Sequence, residues 1–249
     1  MTKQLLIFSL INFVSAILSG ASGGGGGLIT TPLMVVLGLT PATAIATAKF
    51  GGLGISAGTS ARFYKEKITD RNTLIKLSIL AAIASIAGSL ILLKIADNAE
   101  LLQKLMGYVI LIVGIPMLYA RNMGLTSRNP DQKNILMGNI LMFAAIIFQV
   151  IIGSGVAALQ MIILMSVFGM NALTASATRR AMQLVVAVIS LTVFIAGGLI
   201  DYKFGLIALF TSLIGGFIGA HLAIKKGNKF VVNLFAIVSA LLAIELIFG

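Results

Sequence analysis

An all-α polytopic membrane protein, built from two inverted repeats of five helical segments each, is the fold class this sequence predicts. Three observations predict it: a composition too apolar for a soluble core, apolar stretches close to the length of a bilayer crossing, and a match of the second half onto the first. Of the 249 residues, 59% are apolar and 10% charged, with mean hydropathy +1.08. Soluble domains hold about 45–50% apolar and about 25% charged residues. Such a chain suits a fold whose outer surface faces lipid. With no Cys, one His and seven acids, thiolate chemistry, an Fe–S cluster, a built-in metal site and a bound cofactor are not expected. The net charge of +11 sits mainly between apolar stretches, where it sets orientation in the membrane, and no nucleic-acid partner is expected.

The N-terminus, Met1-Thr2-Lys3 ahead of an apolar run, has the outline of a signal peptide. Gly and more apolar chain follow instead of a cleavage site and polar sequence, so the segment is read as retained. Apolar stretches run over 5–19, 28–38, 42–63, 73–95, 101–119, 135–152, 156–168, 172–198, 204–224 and 230–248. A crossing helix takes about 20 residues, a length reached by 42–63, 73–95, 101–119, 172–198, 204–224 and 230–248. The first two stretches of each half, 5–19 with 28–38 and 135–152 with 156–168, are short and paired. The chain thus has about 8–10 membrane segments. A Gly-rich turn breaks each pair, at residues 20–27 and at Gly153-Ser154-Gly155. The polar stretch 121–134 reads as a cytoplasmic linker and hinge between an N-terminal repeat, 1–120, and a C-terminal repeat, 135–249.

A shift of 131 residues without a gap pairs Gly24 with Gly155, Gly38 with Gly169, Thr43-Ala44 with Thr174-Ala175 and Ala46-Thr47 with Ala177-Thr178. It also pairs Asp70 with Asp201, Gly88 with Gly219, Lys94 with Lys225, and Lys49 with Arg180. Over 22–94 roughly 16 of about 73 positions are identical, clustered at Gly, Thr and Asp rather than Leu, which is the mark of duplication. The loops 62–76, 121–134 and 224–230 carry most of the bases. Placing all three in the cytoplasm requires five segments per half and both termini outside, in a cell membrane. An odd count inverts one half relative to the other, a recurring plan of secondary transporters.

A Gly-rich break at membrane depth must lie inside protein or line a watery cavity. The helices after Gly24, Gly25, Gly26 and Gly27 and after Gly153, Ser154 and Gly155 would then present N-terminal N–H groups to an anion. Lys49 lies well inside its segment, and Arg179 and Arg180 lie at the matching depth. No Asp or Glu falls in the middle of any segment, so the missing negative charge reads as a ligand. Thr47, Gly51, Gly54 and Gly58 form a small-residue packing stripe, with Lys49, Gly52, Ser56 and Ser60 on nearly the opposite side. Arg180 shares a face with Gln183, Gln160 follows the second break, and the matched Thr43, Thr47, Thr174 and Thr178 suit capping or ligand contact. His221 is aligned with Leu90 of the first half and reads as a structural hydrogen-bonding group, with a proton carrier as the alternative.

These residues resemble the sulfite exporter TauE/SafE family, also called the toluenesulfonate uptake permease family. The resemblance runs through Gly23-Gly24-Gly25-Gly26-Gly27-Leu28-Ile29-Thr30-Thr31-Pro32, then Gly38-Leu39-Thr40-Pro41, then Ala44-Ile45-Ala46-Thr47-Ala48-Lys49, and Gly215-Gly216-Phe217-Ile218-Gly219-Ala220 near the end. It implies transport of small sulfur-containing anions, sulfite or organosulfonates such as sulfoacetate. The sequence departs from the family's pattern at Arg179-Arg180, where Lys is usual, and in the thin second break. An Arg fork holds an oxyanion by two bonds and suits a sulfonate or a carboxylate alike. The expected function is a secondary transporter, in the exporting direction, of a small sulfur oxyanion. An anion channel, or a carrier of another carboxylate or oxyanion, is the alternative. The expected partners are a small anion and the bilayer, and a homodimer and a monomer fit the sequence equally. No catalytic residue is expected.

Overall fold

The computed structural model describes residues 2–24, 27–69, 71–105, 124–128, 132–153 and 156–248. Among them the secondary structure is helical throughout: α1 (Thr2–Ser22), α2 (Gly27–Val36), α3 (Pro41–Lys65), α4 (Arg71–Ile95), α5 (Gln132–Ile152), α6 (Ala157–Ser166), α7 (Ala172–Ala196) and α8 (Tyr202–Phe248). Residues 99–105 begin a further helix, and the rest of the segment expected at 101–119 lies outside the described residues.

Five of these helices, α1, α4, α5, α7 and α8, are long and apolar enough to cross a membrane. Their outer faces show why. On α1, Leu6, Leu10 and Val14 point away from the protein, as do Ile75, Ile79, Ile83 and Leu90 on α4 and Leu206, Phe210 and Ile214 on α8. Such stripes at helical spacing are liabilities in water and suited to lipid. α3 is as long as α4 but less apolar, because it carries the glycines, hydroxyls and Lys49.

The expectation that the first two segments of each half are short is corrected for the first of each pair. α1 and α5 each have 21 residues, and only α2 and α6, with 10 each, are short. Polar residues start both long helices, and α1 continues through Gly20, whose bare Cα lies against Gly216 of α8. The first break therefore begins at Gly23, in the left-handed region at φ 77°, and Gly27 already belongs to α2. At the other end, α8 comprises two helices, matching the stretches expected at 204–224 and 230–248, which meet at Gly227 where the backbone leaves helical geometry (φ 76°, ψ −174°).

Helix bounds repeat with the 131-residue shift. α3 at 41–65 corresponds to α7 at 172–196, and α4 at 71–95 to the part of α8 before Gly227. The caps correspond as well. Thr40 accepts the Thr43 N–H, and Asn171 accepts that of Thr174, each satisfying a free donor of the first turn.

Contacts fix the helix directions. Phe8 meets Phe204 edge-on, Asn12 donates to Ser212, and Gly20 lies on Gly216, so α1 runs parallel to α8. Thr47 accepts the Asp201 N–H, Gly54 lies on Leu209 and Arg62 meets His221, so α3 runs the same way. Likewise Gly88 of α4 packs on Val150 of α5, and Leu93 meets Gly197 just past α7. The molecule thus consists of two counter-running bundles, α1–α3–α8 and α4–α5–α7. Each sequence half contributes its first and third helices to one bundle and its fourth to the other.

The stretch 121–134 is more than a hinge where it is described. Arg128 N–H donates to Gly169 O, Ala172 N–H to Gly124 O, and Asn171 to Ser127. These bonds tie 124–128 to the turn before α7.

Candidate functional site

The two bundles meet along α3 and α7, where Ala48 and Lys49 face Val186 and Ala187 across a cavity of about 80 Å³. One water fills about 10–15 Å³ by this measure, so the space takes a few waters or one small ion. Lys49, Gly52 and Ser56 of α3 line it, opposite Arg179, Arg180 and Gln183 of α7. Ser19, Gln149, Gly153 and Ala157 close it where the helix breaks arrive. The two-faced character expected of α3 is present: Gly51, Gly54 and Gly58 pack on α8, while Gly52 meets nothing within 4 Å.

The three cations are buried, and each bonds a carbonyl at the end of a helix in the opposite bundle. Lys49 Nζ donates to Gln149 O at 3.1 Å, near the end of α5. Arg180 donates to both the carbonyl and the hydroxyl of Ser19, in the last turn of α1. Arg179 Nε donates to Gly23 O at 2.7 Å, just past that helix. The placement follows from helix polarity, because helix C-terminal ends carry partial negative charge; the Gln149 carbonyl is shared with the Gly153 N–H.

Donor capacity is left over. The Arg179 Nη2 and Arg180 Nε atoms are buried and have no hydrogen-bond partner. No carboxylate lines the cavity, and the ion pairs among the described residues are Arg62–Glu66 and Lys104–Glu100, both within single turns elsewhere. A small box with three cations and spare N–H groups can hold an anion.

Three amides form a network that reaches Arg179. Gln149 Oε1 accepts from Gln160 Nε2 at 2.9 Å and Gln183 Nε2 at 2.7 Å, while Gln160 Oε1 accepts from Gln183 and Arg179. Gln160 is therefore behind the cavity wall, buried as an organiser of Arg179. Thr47 is taken up with the Asp201 N–H. Thr178 is buried without a bonding partner and does not line the cavity. Gly24 lies against Ala157, the first residue of α6, so the two breaks meet. Gly25, Gly26, Ser154 and Gly155 lie outside the described residues.

A family model described as Sulfite exporter TauE/SafE matches residues 8–246. The chain belongs to this family. Relatives of the TauE/SafE member agree in kind. The Probable membrane transporter protein of Haemophilus influenzae is 24% identical, over 98% of this chain and 94% of its own length. The Probable membrane transporter protein YfcA of Escherichia coli K12 is 24% identical over 95% and 88%. The Probable membrane transporter protein ORF9 of a Sinorhizobium species is 24% identical over 94% and 90%. No solved structure matches the chain. The chain is a multi-pass membrane protein of a transporter family.

Sequence reasoning missed Ser19 and Gln149 in this TauE/SafE site. Gln149 carried a usable signal: an amide after the apolar run 140–148 of a membrane helix needs a partner, as Asn12 does within α1. Ser19 gave none, since serine is unremarkable beside glycine in a membrane helix. His221 accepts from Arg62 Nε at 3.4 Å.

Proposed function

We propose that this protein is a secondary transporter that moves a small sulfur oxyanion, sulfite or a compact organosulfonate, out across the cell membrane. The observation that carries the reading is the cavity with Lys49, Arg179 and Arg180 on its walls and no carboxylate among its lining residues. Its size favours a single oxyanion of few heavy atoms. Membership of the sulfite exporter family supports the substrate class.

In this reading the halves 1–120 and 135–249 are inverted repeats, joined by a cytoplasmic linker, with both termini outside. The parallel run of α3 with α8, whose repeat counterpart α4 follows α3 after a short turn, supports the inversion. The moving bodies are the mixed bundles, with Lys49 on one wall and Arg179 and Arg180 on the other. An anion competing for these donors replaces their bonds to Gln149, Ser19 and Gly23, and so loosens the ties between bundles. An inside-negative potential favours outward movement of an anion by about 2.3 kcal/mol per charge per 100 mV.

The test is sulfite flux in proteoliposomes, with sulfoacetate, sulfate and acetate as competitors. Saturable flux is expected for wild type and its loss in both Lys49→Ala and Arg180→Ala, with each variant monodisperse on size exclusion. Undiminished flux in both variants sinks the site, and single-channel currents would replace the carrier with a channel.

A further inference from the structure

The duplicated halves act as internal controls for each other, and they part company at one place. Beyond the central cavity, a groove of about 980 Å³ opens between the end of α3, the start of α4 and α7. Its bed is apolar, with Ala57, Ala61, Leu74, Ala181 and Leu184, and its rim carries Lys67 and Arg71.

The 131-residue shift gives the matching location between α7 and α8. There the counterpart of Ala181 is Phe50, whose ring meets Tyr202 at 6.4 Å and lies on Gly205, the counterpart of Leu74. The space is filled by an aromatic side chain. Tyr202 itself stands where Arg71 stands in the first half, and Gly198 stands where Lys67 does.

Lys67 is the more telling of these differences. The residue after the end of α3 is in the left-handed region, with φ 53° at Lys67, as Gly198 is after α7 with φ 69°. That conformation suits glycine and carries a steric cost in any other L-residue. Lys67 is the non-glycine residue with positive φ among the described residues, and its side chain is exposed at the groove's rim. A strained backbone at a rim position points to a use for the side chain. Glu66 does not neutralise it, being paired with Arg62 at 2.8 Å. Asp70 lies outside the described residues, and its counterpart Asp201 is occupied in accepting the N–H groups of Lys203 and Phe204.

Three coordinated departures from the repeat therefore produce one groove: a small residue opens it, and two cations are added at its mouth. A mostly apolar bed does not suit a free inorganic anion, whereas an anionic amphiphile satisfies both parts. We propose that this groove binds an anionic phospholipid, with its headgroup phosphate at Lys67 and Arg71 and one acyl chain along Ala61, Ala181 and Leu184. Basic residues at membrane-surface level are suited to such headgroups.

The experiment is native mass spectrometry of the full chain, extracted in detergent and offered phosphatidylglycerol and phosphatidylcholine in equal amounts. Wild type is expected to prefer phosphatidylglycerol by about tenfold. Lys67→Gly, which restores the residue of the other half, is expected to lose most of that preference while unfolding at no lower temperature. Ala181→Phe keeps both cations and fills the bed, and is expected to lower binding of both lipids. Lys203→Ala, at the matching location of the other half, is expected to change nothing. An unaltered preference in Lys67→Gly, or undiminished binding of both lipids in Ala181→Phe, overturns the proposal. So does full competition by glycerol phosphate at equal concentration, because the site would then be one for a free phosphate.

Discussion

Arg179 and Arg180 are adjacent on α7 yet face different neighbours. Arg179 bonds Gly23 and Gln160, and Arg180 bonds Ser19. The amides of Gln149, Gln160 and Gln183 form a network that reaches Arg179 through Gln160, so a change among them reaches the site without removing a cation. Gln183→Leu removes the bonds to Gln149 and Gln160. A hydrogen bond between membrane helices is worth about 0.6 kcal/mol on average and at most about 1.7. The variant is expected to lose about 1–2 kcal/mol of stability, measured by denaturant titration in mixed micelles, and to raise the half-saturating sulfite concentration. Unchanged values for both would show that the amides are bystanders. The cations were legible in the sequence, because charge at membrane depth demands a partner. Their partners were not, since a backbone carbonyl at a helix end has no signature in the side-chain alphabet.

The glycines of α3 and α8 make opposite predictions according to the face they occupy. A Cβ at Gly54 would fall on the Leu209 carbonyl, and one at Gly58 on that of Leu213. These are backbone atoms that cannot rotate aside. Gly54→Ala and Gly58→Ala are each expected to cost about 1–3 kcal/mol and to lower the yield of monodisperse protein. Gly52→Ala, about half a turn from Gly54 on the other face, meets nothing within 4 Å and is expected to fold normally. Its methyl group narrows the cavity, so flux of sulfoacetate falls more than flux of sulfite. Thermal unfolding with paired flux assays separates the two classes, and equal destabilisation of all three variants would contradict the packing. This stripe was legible because small residues at helical spacing permit close approach. The full length of α1 and α5 was not. Polar or small residues at their ends lower local hydropathy without ending a helix.

At the scale of the molecule, each bundle mixes helices from both halves of the chain. Transport by relative motion of the bundles predicts that a tie across the α3–α7 seam arrests flux, while a tie inside a bundle does not. The chain has no Cys, so introduced thiols report cleanly. Ala48→Cys with Ala187→Cys, joined by a short bifunctional reagent, is expected to abolish sulfite flux. Phe8→Cys with Phe204→Cys, whose rings lie 5.1 Å apart within one bundle, is expected to leave most of it. Arrest by both ties, or by neither, would refute this division. The correspondence of α3 with α7 was readable from sequence in the Gly, Thr and Asp matches at the 131-residue shift, and the helix bounds follow that shift. The exchange of α4 and α8 between bundles was not, since a face that meets lipid and one that meets a helix are equally apolar.

That exchange sets an order of events during synthesis. α1 and α3 leave the ribosome with their glycine faces shaped for a helix that begins only at Tyr202. α4 meanwhile waits for α5 and α7. Until the last fifth of the chain is made, the α1–α3–α8 bundle cannot close, and α1 and α3 stand in the bilayer with narrow grooves that only lipid can occupy. A nascent chain of this design depends on the insertion machinery to hold it together far longer than one whose halves fold as they emerge.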